Sequence, residues 1–562
     1  MGVCRPPILR FLAFSLAAGL LLTGGASQRI SFEDITATSG IRFSNENGAS
    51  PEKRMIETMG SGVGVLDYDR DGRLDIVFVN GGGRPGSVEA GHDRLALYRN
   101  VGNNKFEDRT AAAHLSGSFQ TYGMGVAVAD YDNDGRPDIL LTGYPRSLLF
   151  HNNGDGTFSD VTASAGVENK GRWATSAGWF DYDRDGRLDL VIANYVADFS
   201  WDDPRFCGDA AQGRRAYCHP DVYQGTGVRL YHNQGAGRFE DVTAKAGLDT
   251  SEGKCLGLVL ADFDGDGWPD IFVANDSAMN FYYRNRGDGR FLESGLASGV
   301  GFNEDGQTEA GMGADAAYLD GAAQPSLYVT HLDNELNRLY SNLGNNSFRD
   351  ITTDAGLGGE RSLLSGFGVR FADFDNSGRQ QILVANGHIL DNIALFHPRV
   401  AYREPLSLFE RASGAGFRDI SRESGEVFAM PLLGRGLALG DFDDDGLLDF
   451  VVSQNSGPPL LARNRTAAAC NWISLELQGA GKSSRDAIGA EVTLTAAGKQ
   501  QRAQIIGGRS YCSASDMRLH FGLGSARLVE RVDVKWPSGQ IDTFRDLPVN
   551  RVRRIAEHAP VH

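Results

Sequence analysis

Basic residues are in short supply: 55 Lys and Arg stand against 72 Asp and Glu, a formal net charge of -17. That balance excludes a nucleic-acid binder, because neutralising a phosphate backbone takes basic patches that this chain does not carry. Cysteine is scarce too, with six in 562 residues, and no spacing among them suggests zinc or a redox dithiol. Beyond residue 22 no apolar run is long enough to cross a bilayer, so no membrane span is expected. There is no nucleophile elbow, Walker loop or dinucleotide fingerprint in a suitable setting. What the chain has in quantity is glycine, 72 residues, and aspartate in a fixed pattern.

The pattern is a nine-residue loop followed at once by an apolar strand. Its first copy places Asp67, Asp69, Asp71 and Asp75 at positions 1, 3, 5 and 9, with Gly72 at position 6. The same spacing returns with Asp130, Asp132, Asp134 and Asp138, with Asp181, Asp183, Asp185 and Asp189, with Asp262, Asp264, Asp266 and Asp270, and with Asp441, Asp443, Asp445 and Asp449. Four carboxylates and a carbonyl around a sharp glycine turn supply hard oxygen ligands for one cation, and calcium is the expected ion. Flanking strands and the missing Glu at position 12 exclude an EF-hand. Two copies are worn. The fifth, Tyr318 to Ser326, retains only Asp320, and the sixth has Ser377 and Gln381 in place of acids.

A second phrase alternates with the loop, as in Leu149-Phe-His-Asn152 followed by an Asn/Gly turn and Phe158-Ser-Asp160, and it reads as a hairpin. With a glycine-rich strand ahead of each acidic loop, one unit is four strands. First loop positions at 67, 130, 181, 262, 318, 373 and 441 give seven units, and four-stranded units in this number build a seven-bladed β-propeller. The strand Phe32-Glu-Asp34 has no unit before it, and the seventh unit ends at Asn464 without a fourth strand. The first strand is therefore expected to complete the last blade. The fold class is all-β: a propeller over residues 27–465 and a small all-β domain over 466–562, with strand-like runs at 472–478, 491–496, 500–506, 518–521 and 532–536.

Residues 1–26 read as a cleaved signal peptide: Arg5 and Arg10, the apolar run Phe11 to Leu22, then small residues. A secreted or periplasmic protein follows, in a compartment where disulfides form. Cys207 and Cys218 lie in one loop and are the expected pair; Cys470 with Cys512 is a second combination, and Cys255 is left over.

Long insertions follow several second strands, at 80–94, 198–227 and 387–405, on the face opposite the acidic loops, and insertions collect where binding is done. The polar residues at that mouth are Asn80, Asn194, Asn275, His331, Asn386, His388 and Asn455, candidates for holding a sugar or a peptide. The favoured function is recognition of an extracellular or envelope protein or glycan, with calcium as the structural ion. The alternative is a polysaccharide- or metabolite-modifying lyase or hydrolase in the same mouth, with a histidine or carboxylate as general base.

The chain resembles the cartilage acidic protein family and its bacterial relatives, which join FG-GAP/VCBS repeats to an ASPIC/UnbV domain. The matching phrases are Glu57-Thr-Met-Gly-Ser-Gly62, the acidic loops, Asn386-Gly-His388, Arg485-Asp-Ala-Ile-Gly489, Arg518-Leu-His-Phe-Gly-Leu-Gly524 and Trp536-Pro-Ser-Gly539. The resemblance implies an integrin α-like, calcium-binding propeller in an extracellular protein, with a part in adhesion or matrix for some members. It implies no settled activity.

Overall fold

The computed structural model describes residues 29–86, 93–250, 252–359, 363–412, 414, 416–467 and 470–558; the expected signal peptide lies outside them. Seven four-stranded antiparallel sheets follow one another along the chain. Blade one is typical, with strands Val63–Leu66, Asp75–Val79, Leu95–Gly102 and Lys105–Asp108 in that spatial order. In the last blade the chain termini of the ring meet: Phe32–Asp34 pairs with Leu460–Asn464, Phe32 opposite Asn464. That antiparallel pairing places the start of the ring on an edge that would otherwise present free backbone groups.

Apolar side chains from each pair of adjacent blades interlock, and the series closes on itself. Val63, Val65, Ile76 and Phe78 of blade one pack with Ala438, Phe442, Val451 and Leu461 of blade seven. The asparagine that ends the third strand fastens the blades further. Asn152 Nδ2 donates to Tyr68 O of the blade before it (2.9 Å), Asn233 to Tyr131 O (3.0 Å) and Asn285 to Tyr182 O (2.9 Å). Asn100 closes the ring by donating to Phe442 O of blade seven (2.8 Å).

The C-terminal region is a second all-β unit of two sheets, one of three strands and one of four. It has seven strands, and two of them, Ile541–Pro548 and Val552–Ala556, went unforeseen. They alternate apolar residues with Asp542, Arg545, Arg553 and Arg554, so they offer no apolar run to read. The domain sits on the acidic-loop face and sends residues 507–516 down the axis of the ring. This segment bonds to the innermost strand of every blade. Val65 N donates to Ala514 O (2.9 Å), Val126 N to Cys512 O (3.1 Å), Trp179 N to Gly507 O (3.0 Å) and Leu260 N to Gly508 O (3.1 Å). Ser510 N donates to Ala314 O (2.5 Å), Val369 N to Ser510 Oγ (3.1 Å) and Leu439 N to Ser515 Oγ (3.0 Å). At its far end Tyr511 Oη donates to Met59 O (2.7 Å). The glycine-rich inner strands now have a reason: a Cβ on Gly178 would stand 2.7 Å from Gly508 Cα, and one on Gly125 would stand 2.9 Å from Cys512 Cα.

Candidate metal loops and the opposite mouth

The five intact loops share a core of backbone bonds: position 1 accepts from the N–H of position 6, and position 9 accepts from the N–H of position 2. Position 1 also accepts from position 5 in four loops and from Gly265, at position 4, in the fourth. In the third loop Asp181, at position 1, accepts from Asp185 N (3.0 Å) and Gly186 N (2.9 Å). Asp185 accepts from Arg187 N (2.9 Å), and Asp189 accepts from Tyr182 N (3.2 Å) and Asn233 N (2.8 Å). Position 6 needs a left-handed backbone, with φ 89° at Gly72, 88° at Gly135 and 90° at Gly186 and Gly267.

These bonds leave part of each carboxylate facing its neighbours. One oxygen from each of Asp67, Asp69 and Asp71 lies within 4.8 Å of the others, as for Asp130, Asp132 and Asp138 and for Asp181, Asp183 and Asp189. At position 3 the Oδ1 atoms of Asp69, Asp183 and Asp443 are buried with no hydrogen-bond partner. A buried carboxylate oxygen without a donor is costly, and a hard divalent cation among several such oxygens fits the donor set. Burial, together with the neighbouring acids, also pushes the carboxyls up: Asp75, Asp130 and Asp181 to about 8, Asp189 and Asp441 to about 7, Asp138 and Asp262 to about 6. Asp270 and Asp449 lie well above the ordinary range for the same reason.

One further residue per loop was not foreseen. The third strand presents a basic side chain to position 3: Arg99 to Asp69 (2.5 Å), His151 to Asp132 (3.4 Å), His232 to Asp183 (3.5 Å), Arg284 to Asp264 (3.0 Å) and Arg463 to Asp443 (2.5 Å). The signal was in the hairpin phrase, where the residue before the closing Asn is Arg or His in these five units; the two worn units have Ser341 and Glu410 at the matching place.

The worn loops are closed by the protein's own donors. In the sixth, Gln381 Oε1 accepts from Phe374 N (2.7 Å), as an aspartate at position 9 does, while its Nε2 lies 3.3 Å from Asp375 Oδ1. Asp373, Asp375 and Asn376 are each 3% exposed, and His520 of the C-terminal domain bonds to Asn376 Oδ1 (2.6 Å). In the fifth, Asp320 pairs with Arg411.

On the opposite face the insertions interlock. Cys207 and Cys218 form the disulfide, across a hairpin of Cys207–Asp209 and Arg214–Ala216. Cys470 and Cys512 are both free, so that combination does not form. Asn392 Nδ2 donates to Arg215 O (2.9 Å), Arg84 pairs with Asp202 (2.7 Å) and Lys53 pairs with Asp391, so segments from blades one, three and six meet. Tyr217 Oη reaches Glu57 (3.2 Å) and Tyr195 Oη donates to Asp276 (2.5 Å). Phe206, Val222 and Leu395 stay in water, 47%, 44% and 53% exposed.

The seven polar mouth residues are all buried beneath this layer. Asn80 accepts from Glu46 N (2.8 Å), Asn194 from Asn169 Nδ2 (2.7 Å), and Asn275, Asn386 and Asn455 donate to Met279 O (2.7 Å), Pro405 O (2.7 Å) and Glu57 O (2.9 Å). His388 Nδ1 accepts from Leu390 N (2.9 Å), leaving Nε2–H for Asp333 (2.9 Å). His331 lies 3.7 Å from Glu309, and burial holds its imidazole down to about 4. The structure gathers these residues around the mouth and turns the asparagines and His388 to fixing loop ends, as short polar side chains do beside free backbone groups, while both ring nitrogens of His331 are buried without a hydrogen-bond partner. No helix among the described residues is long and apolar enough to cross a membrane.

Comparison with known proteins adds the following. The FG-GAP-like repeat family matches residues 67–141, 132–192, 218–273 and 262–329, and the family ASPIC and UnbV matches 479–561. Cartilage acidic protein 1 of Xenopus tropicalis is 26% identical over 590 residues, covering 99% of this chain and 81% of the relative. The Homo sapiens protein is 26% identical over 569 residues, covering 95% and 77%. Among solved structures, an Agrocybe aegerita lectin that recognises non-reducing terminal N-acetylglucosamine superposes with a TM-score of 0.39 at 16% identity, covering 72% of this chain and 94% of that one.

Proposed function

From the premise that this chain carries FG-GAP-like repeats and an ASPIC/UnbV domain and is homologous to cartilage acidic protein 1, we propose that it is an exported calcium-binding propeller that recognises a protein or glycan. Residues 1–26 direct export, 27–465 form the propeller and 466–562 form the domain that seats on it. Calcium occupies the five intact loops and holds together carboxylates that otherwise sit close in a low-dielectric setting. The ligand contacts the interlocked insertions on the other face, with Phe206, Val222 and Leu395 as apolar anchors. The observation that carries this reading is the division of faces: acidic loops and the body of the C-terminal domain on one, and on the other the disulfide-braced layer, which that domain reaches from beneath with the tip of its axial segment at Tyr511.

The test is capture of glycans and envelope or extracellular proteins on the immobilised mature protein, in calcium and in chelator, beside a Phe206→Ser, Leu395→Ser variant. Retention in calcium that is lost in chelator and in the variant, while the variant's Tm is unchanged, supports the reading. Retention indifferent to both places the ligand elsewhere. Shortened or chemically altered products in the eluate replace recognition with catalysis.

A further inference from the structure

The position three residues before each acidic loop lies on the first strand of its blade, the strand that the axial segment meets. In blades one to four and seven it is Gly64, Ala127, Gly178, Val259 and Ala438, and in blades five and six it is Asp315 and Arg370. Two adjacent blades thus bury a charge where the others have none. Arg370 is 4% exposed, and its Nε lies 3.2 Å from Asp315 Oδ2. Asp315 already accepts from Ala316 N (2.9 Å) and Phe371 N (2.8 Å).

The axial segment then adds a second guanidinium to the same carboxylate, Arg509 Nη1 at 3.8 Å from Asp315 Oδ1. A third, Arg518, lies nearby but is matched, with Nε 2.6 Å from Asp516. Arg370, Arg509 and Arg518 therefore face two carboxylates, Asp315 and Asp516, and Asp516 is engaged by Arg518. The strain of that arrangement is visible in two ways. Arg370 Nη1 is buried with no hydrogen-bond partner. Burial and the neighbouring Arg509 also hold the Arg370 guanidinium down to about 9. The groups line a cavity of about 100 Å³ between blades five and six and the C-terminal domain, with Arg502, Asp373 and His520 also on its wall. The His520 ring brings no positive charge, since burial holds it down to about 3. Asp373 brings no firm negative one, because burial pushes its carboxyl well above the ordinary range.

We infer that this cavity is an anion site that takes a small tetrahedral oxyanion, sulfate or phosphate. Water in the cavity would meet the free Nη1 donor, but it carries no charge and leaves three guanidiniums on two carboxylates, an arrangement that low dielectric penalises. An oxyanion meets both needs, because guanidinium forks present parallel N–H donors to its oxygens. Neither the five acidic loops nor the opposite face takes part, so the inference stands apart from the function proposed above.

The test is thermal unfolding and calorimetric titration of the mature protein with sodium sulfate in calcium, against sodium chloride at equal ionic strength. Phosphate is titrated separately without added calcium, which would precipitate it. The expected result is a saturable rise in Tm with sulfate and with phosphate at one anion per chain, and no such rise with chloride. Arg370→Leu removes the surplus charge and leaves Asp315 and Arg509 one to one. It should abolish the sulfate-specific rise while melting no lower than the parent in chloride. Arg509→Gln serves the same comparison should Arg370→Leu fail to fold. Equal responses to sulfate and chloride, or an undiminished sulfate response in the folded variant, overturn the assignment.

Discussion

The third and sixth loops start from the same turn and end as different objects. In both, the first aspartate accepts the N–H groups of positions 5 and 6: Asp181 from Asp185 and Gly186, Asp373 from Ser377 (3.0 Å) and Gly378 (2.6 Å). In the third loop the remaining oxygens face one another and one of them, Asp183 Oδ1, has no partner. In the sixth, the Gln381 amide lies 3.3 Å from Asp375 Oδ1 and His520 of the C-terminal domain bonds to Asn376, whereas the third loop meets that domain through Arg184, which donates to Pro537 O (2.9 Å). Backbone satisfaction therefore fixes the shape of the loop, and the leftover oxygens decide whether it needs a cation. The sixth loop has lost acids without losing its turn, whereas the fifth, with Tyr318 at position 1 and Ala323 at position 6, turns instead at Asp320 and Gly321.

The difference is broken most severely by stripping metal from the whole protein. Removal should lower Tm and leave five sites to refill, one per intact loop, because each bound ion adds its own stabilisation by mass action. Calorimetry on the stripped protein should return five calcium ions per chain. Seven ions, or a Tm indifferent to chelation, would erase the distinction between the two kinds of loop.

Acidity offers the next largest effect, and its sign is set by burial. Asp75, Asp130 and Asp181 are pushed up to about 8 in the folded chain, against about 3.9 when unfolded. Between those values the folded chain binds more protons than the unfolded one, so its stability falls as pH rises. Metal-free protein should accordingly melt highest near the acid end of the window and progressively lower toward pH 8. Saturating calcium keeps the carboxylates ionised and should remove that slope, with protons released on binding. A metal-free Tm that climbs with pH would mean the acids are not held close together in the folded state.

Single substitutions sharpen the comparison further. Asp181→Ala should lower the stoichiometry from five to four and cost about 2.7 kcal/mol at calcium a hundredfold above Kd. Asp373→Ala should cost about 1–3 kcal/mol through the orphaned N–H groups of Ser377 and Gly378, with the stoichiometry unchanged. Calcium titrations of the two purified variants separate the cases, since only the first loses a binding event.

Much of this was legible in residues and some was not, for identifiable reasons. The loops could be read because a nine-residue spacing with glycine at position 6 encodes both turn and donor set. Ring closure could be read because Phe32 to Asp34 is a strand phrase without a unit. The axial segment could not. Residues 507–516 recognise the blades mostly through main-chain groups, which any sequence would supply, and the only trace is the glycine content of the strands they touch. The mouth residues were legible in place but not in use: an asparagine that caps a strand and one that awaits a ligand are the same letter. His331 and His388 illustrate it, both at the mouth and both buried.

The finest version of the comparison is to write the missing acids back into the sixth loop. Ser377→Asp with Gln381→Asp restores the spacing of the intact copies and deletes the amide that lies 3.3 Å from Asp375. It does so in a place where Asp373 and Asp375 are 3% exposed and His520 and Gly522 press from above. In chelator the variant should melt below the parent, because two carboxylates join two that are already buried. In calcium it should recover most of that loss and bind a sixth, weaker ion. If it remains at five ions at saturation, the lost acids are not what keeps calcium out. The covering domain would then be the cause, and the sixth loop would have surrendered its metal to the surface that seats on it.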